Sequence, residues 1–153
     1  MLEATGLENL GAESTPEDAE GAITIVSLTD QQEWDSPTLT RCREIVAAAL
    51  PDAELISPED SVEGDEQYFN SIPLYCRNMQ ILETLALAAG RNPTHESFQA
   101  AIDNLGDIEL PGRPFASGGK PDLNDTFQLA AFDSTKGDLG GLVPISDIFD
   151  GTP

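Results

Sequence analysis

Between Ile72 and Gly106 apolar residues return every three or four positions, and that spacing predicts two helices with a hard stop between them. The first spans about Pro73 to Ala89, with Leu74, Ile81, Leu82, Leu85, Ala88 and Ala89 in a stripe that faces a core. Pro73 suits the first helical position, where no amide donor is needed. Gly90 follows the last apolar residue, where a left-handed cap is cheapest for glycine. Asn92-Pro93 forbids continuation, because the ring disfavours an α conformation in the residue before it. Thr94 can cap the second helix, Glu96 places negative charge in its first turn, and Gly106 stops it. Phe98, Ala101, Ile102 and Leu105 form its expected buried face.

The pattern on either side is shorter in period. Gly21 to Leu28 is rich in β-branched residues and reads as a buried strand. A loop from Thr29 to Asp35 leaves it. Ser36 and Pro37 then open a helix as cap and first residue, with Leu39, Cys42, Val46, Ala49 and Leu50 on one side and Pro51 as its end. Asp52 to Ser71 is acidic and irregular, with a brief strand expected at Ala53–Ile56 and Tyr68 and Phe69 anchoring the approach to the central helix. The proline- and glycine-rich passage from Asp107 to Thr126 is loop. Thr126–Phe132 alternates as a strand, with Phe127, Leu129 and Ala131 on one side, and Leu142 to Ile145 pairs back as an edge strand, where Pro144 is tolerable. Strands interleaved with helices favour an α/β lobe: a sheet layered with helices over residues 21–153. Residues 1–20 form an acidic linker, or a remnant of a preceding lobe, in which Thr15-Pro16-Glu17-Asp18 reads as a turn or a capped helical turn.

Charge narrows the classes of partner. With 28 acidic and 7 basic residues the formal charge is −21, which repels nucleic acid and anionic membrane surfaces. No apolar run approaches the roughly 20 residues that a membrane helix needs. The N-terminus lacks the basic start and apolar core of a secretory signal, which fits a cytosolic protein, a mature form or a fragment equally. Cys42 and Cys76 have no metal-type spacing and are two small buried residues or one disulfide.

Little of the chain is arranged for catalysis. His95 is the only histidine, so a site built on two histidines is excluded, and a Ser-His-Asp or Cys-His arrangement would have to use it without any evident partner. Carboxylates are so many that choosing a pair means little. Asp122-Leu123-Asn124-Asp125 falls short of a calcium loop, since Phe127 stands where the sharp turn wants glycine. Ser117-Gly118-Gly119-Lys120 lacks the spacing of a phosphate loop. No metal or cofactor is expected. The loop after the first strand is better placed for a ligand, which in an open α/β sheet sits beyond the carboxyl ends of strands. There Trp34 offers an apolar or cation-attracting face, and Asp30 and Glu33 could hold an ammonium group; in the alternative, Trp34 simply packs on the neighbouring helix.

Leu87-Ala88-Ala89-Gly90, Asn92-Pro93-Thr94 and Glu96 to Ile102, followed by Ser117-Gly118-Gly119-Lys120 and the strand Thr126–Phe132, resemble the C-terminal lobe of type I periplasmic solute-binding proteins, the leucine/isoleucine/valine-binding family of ABC transporters. Upstream, Glu20-Gly21-Ala22-Ile23 is similar to a strand opening the last portion of that lobe, so the likeness runs from about Glu20 to Asp133. The resemblance implies a non-enzymatic binding component, extracytoplasmic in the periplasm or as a surface lipoprotein, that closes with an N-terminal lobe on an amino-acid-like solute and delivers it to a permease. It implies that this chain is the C-terminal part of a longer protein, and that Cys42 and Cys76 form a helix-to-helix disulfide. A sensor ectodomain of the same fold is the alternative, and a small acidic cytosolic enzyme using His95 a more distant one.

Overall fold

A computed structural model describes residues 15–118 and 125–152. Within these described residues four α-helices and four strands make a mixed α/β arrangement: β1 (Ile23–Val26), α1 (Asp30–Trp34), α2 (Pro37–Ala49), α3 (Tyr68–Ala89), α4 (His95–Asp103), β2 (Thr126–Asp133), β3 (Gly141–Pro144) and β4 (Phe149–Asp150). Every strand pairing is antiparallel, with β2 at the centre between β1 and β3. Ile23 lies opposite Ala131, and Leu142 opposite Phe132. Past β3 the chain stays beside β2: Ile145 N donates to Leu129 O at 2.9 Å, and β4 pairs with Thr126 and Phe127. The edge strand with its proline is therefore as expected, while β4 was not foreseen.

The sheet has one wet face. In β1, Thr24 and Val26 are buried while Ile23 and Ile25 are 58% and 44% exposed, so the strand alternates instead of being buried on both sides. Along β2 the inward set is Thr126, Gln128, Ala130 and Phe132; Phe127, Leu129 and Ala131 share the outer side. Phe132, Ala130, Val26, Leu142 and Ala19 make one apolar cluster. Gly140 precedes β3 with φ +73°, and a Cβ there would strike the Phe132 ring, so only glycine lets the hairpin close over it.

A second cluster belongs to the helices: Trp34, Leu39, Phe69, Ile72 and Cys76, with Cys42, Val46, Leu55 and Tyr68 against it. Cys42 of α2 and Cys76 of α3 are joined in a disulfide, their Cα atoms 6.2 Å apart. Ala49 and Leu50, assigned to the same helix face from sequence, are exposed.

Four expectations are corrected. The central helix begins at Tyr68, so Pro73 lies inside it and forfeits one backbone bond. Burial of Phe69, Ile72, Pro73 and Cys76, spaced three and four apart, outweighs that loss. The buried stripe is thus not the expected one: Leu74 and Leu82 are about half exposed, Ala88 is exposed, and Ile81, Leu85 and Ala89 are only partly buried. The residues from Asp30 to Trp34, read as loop, form α1, because Thr29 and Gln32 make a reciprocal capping box (Thr29 N to Gln32 Oε1, 2.9 Å). Ala53–Ile56 is not a strand.

Other boundaries agree. Ser36 and Pro37 start α2, and Thr94 caps α4 by accepting from Ser97 N at 3.1 Å. In α4 only Ala101 is buried; Phe98 is half-buried and Ile102 is 41% exposed. Thr15 to Asp18 forms a capped 3-10 turn. The passage after α4 is a tight loop, with Ile108 N bonded to Ala116 O (2.9 Å) and Leu110 and Ala116 buried. The acidic linker before Thr15, the glycine-lysine pair at 119–120 and the Asp122–Asn124 segment fall outside the described residues.

Two outcomes follow. Replacing both cysteines by serine should lower the unfolding free energy by about 3–4 kcal/mol in urea titrations, for a bridge spanning 34 residues, and the denatured, unreduced chain should show no reactive thiol. Ile72→Ala should cost about 2–4 kcal/mol, whereas Leu82→Gln, half exposed on the opposite side of α3, should stay within about 0.5 kcal/mol.

Candidate functional site

A concave space of about 250 Å³ opens where α1, the first turn of α3 and β3 meet. Its apolar surface comes from Phe69, Leu139, Leu142 and Val143. Polar lining is supplied by the amides of Gln31, Gln32, Gln67 and Asn70, with Asp30, Glu59 and Lys136 adding charge.

Local structure holds most of these side chains before any ligand arrives. Gln31 donates to Asp35 Oδ2 (2.9 Å) and accepts from Glu59 N (3.1 Å), tying α1 to the 3-10 turn Pro58–Asp60. Gln32 Oε1 caps α1 and also accepts from Nε2 of the buried Gln128 on β2. Asn70 Nδ2 donates to Gln67 Oε1 at 2.9 Å. Lys136 Nζ lies 3.5 Å from Glu59 Oε1 across the mouth, both half exposed, a contact worth little in stability. Such a lining can seat a small polar molecule with an apolar part: amides present donors and acceptors of neutral groups, and the two signs of charge at the rim suit a dipolar one.

The three residues singled out from sequence part company here. Asp30 lines the cavity. Glu33, on the same short helix, is paired with Arg77 of α3. Trp34 is 5% exposed in the helical cluster, and the Arg43 guanidinium sits 4.9 Å from its ring centroid. Cation attraction by the ring is thus exercised within the protein. With strands antiparallel throughout, the rule that places ligands beyond the carboxyl ends of parallel strands has no purchase. The cavity lies instead beside an edge strand. Sequence reading missed Gln31, Gln32, Gln67 and Asn70; the Thr-x-x-Gln capping signature at Thr29–Gln32 was the one available signal for the first two.

Neither histidine nor cysteine lines the cavity; His95 is exposed at the start of α4. Among the described residues no cluster of three or more His, Cys, Asp or Glu side chains is placed to hold a metal ion. A second, open groove at the end of α2 is edged by Asp52, Glu54, Asp65 and Glu66. Comparisons with family models, with curated proteins and with solved structures find no match to this chain.

Asp133 opens the loop that carries Lys136 to the rim. Its carboxylate accepts from Thr135 Oγ1 (2.6 Å) and Thr135 N (2.9 Å), and the hydroxyl bond first, then the amide, holds it below the ordinary 3.8. A lowered folded value means that the stabilisation is present above that ordinary pH and disappears as pH falls through the folded value. Thr135→Val should move the Asp133 midpoint upward toward 3.8 in a carboxyl NMR titration.

Proposed function

We propose that the chain is a non-enzymatic module for binding a small, amino-acid-like solute, acting as one lobe of an extracytoplasmic solute-binding protein that serves an ABC transporter permease. The cavity between α1, α3 and β3 is the observation that carries this reading: about 250 Å³ of mixed amide and apolar lining, with Asp30 and Lys136 supplying opposite charges. That combination suits a dipolar molecule with a small apolar side chain. The sequence likeness around Leu87–Ile102 supports the same class, and the Cys42–Cys76 bridge is compatible with an oxidising compartment.

Type I binders work by closure. Contacts from both lobes shift an open–closed equilibrium, and only a difference in affinity between the two states can shift it. One lobe contributes part of those contacts and cannot exclude water from the solute. The second lobe and the permease are the partners that this reading requires.

Titration of the isotopically labelled chain with L-leucine should shift amide signals around the cavity, at Gln67, Asn70, Gly141 and Leu142, with an affinity on the order of millimolar. Asn70→Ala should weaken it severalfold. Shifts elsewhere, or none, would refute the cavity as the solute site. Micromolar binding by calorimetry would refute the half-cleft argument, because a single lobe would then suffice.

A further inference from the structure

The long helix and the loop after α4 enclose a second group of charges that the cavity does not use. Arg77 of α3 and Arg113 of the loop both reach the tight turn Leu110–Arg113, closed by Arg113 N to Leu110 O at 3.0 Å. Arg77 Nη1 donates to Pro111 O (3.1 Å), and Arg113 Nη1 donates to Gly112 O (2.7 Å). Gly112 has φ +69°, and a Cβ there would strike both Glu33 and Arg77, so the turn backbone lies flush against their ion pair. Pro111 and Pro114 stiffen the segment that presents Arg113.

The charges in this group do not balance. Arg77 and Glu33 neutralise each other with side chains 15% and 14% exposed. Arg113 is half-buried beside them and has no carboxylate partner among the described residues; its single side-chain bond is to a carbonyl. Burial lowers both guanidinium groups, Arg77 to about 10 with help from the Arg113 charge, and both stay cationic at neutral pH. The chain holds 28 acidic and 7 basic residues, yet among the described residues no carboxylate is set against this cation. A guanidinium carries five donors in a planar fork, and among the described residues the Arg113 side chain makes one hydrogen bond, to Gly112 O.

We propose that Arg77 and Arg113 form an anion subsite that takes the carboxylate of a small organic monoacid. One net positive charge matches one negative charge, and a planar fork suits a planar carboxylate. A net charge of −21 disfavours polyanions and acidic peptides, which gain one local contact against a repulsive field. Neither arginine lines the cavity between α1 and β3, so the assignment stands apart from the solute-binding reading.

The test follows the arginine Nε–H signals of the labelled full chain while sodium acetate replaces sodium chloride at constant ionic strength. The expected result is saturable shifts confined to Arg77 and Arg113, with a dissociation constant on the order of 10 mM. Arg113→Gln should weaken acetate about tenfold or more, and Arg113→Lys, which keeps the charge but loses the fork, about threefold. Arg91→Gln, on the exposed link between α3 and α4, should leave it unchanged. Linear shifts spread over every arginine would overturn the site, as would an unaltered acetate affinity in both Arg113 variants. Tighter saturation by phosphate than by acetate would overturn the monocarboxylate assignment. Should Arg113→Gln fail to fold, the wild-type titration and the lysine variant decide.

Discussion

Pairing of Ile23–Val26 with Gln128–Ala131 is the constraint on which the other contacts depend. It joins segments a hundred residues apart, and closing a loop of that length costs about 4 kcal/mol of chain entropy before any contact rewards it. The reward is partly polar. Buried Gln128 donates to Gln32 Oε1 and to Ser27 O, which sits 101 residues away in sequence. A buried amide without partners would be costly, so these bonds hold α1 in one position at the end of β1. Once α1 is placed, β3, which follows the strand paired with β1, becomes its neighbour, and the cavity is the space left between them.

The apolar interior is divided. The sheet cluster around Phe132 and the helical cluster around Trp34 and Leu39 are distinct groups, each only a handful of side chains. Small clusters bury little surface, and a covalent tie compensates where packing is thin. The Cys42–Cys76 bridge lies within the helical cluster, where it fixes α2 against the first half of α3. Beyond Arg77 the long helix contacts α4 but leaves Met79, Leu82 and Leu87 in solvent.

Cations are scarce in this chain, so where they stand is informative. Arg43 covers Trp34, Lys136 sits at the cavity mouth near Glu59, and Arg77 and Arg113 gather at the Pro111–Gly112 turn. Several carboxylates serve as local caps, as Asp18, Asp60, Asp65, Asp133 and Asp150 do in their own turns. These few cations are thus set in a surface that is otherwise acidic.

Local chemistry was legible from sequence wherever a few neighbouring residues decide the backbone. Thr94 with Asn92-Pro93, Ser36-Pro37 and the alternation of Thr126–Phe132 marked their elements, because caps, proline rings and period-two side chains act over one turn or one strand. The Thr29–Gln32 capping box that starts α1 is equally local. Faces were not legible. Leu74 and Leu82 are as apolar as Ile72, and only packing against Trp34 and Leu39 selects the Phe69–Ile72–Cys76 side and carries the helix through Pro73. The antiparallel order of the strands, the amides around the cavity and the meeting of Arg77 with Arg113 likewise come from segments tens of residues apart, whose approach is a property of the assembled chain that no stretch of residues specifies alone.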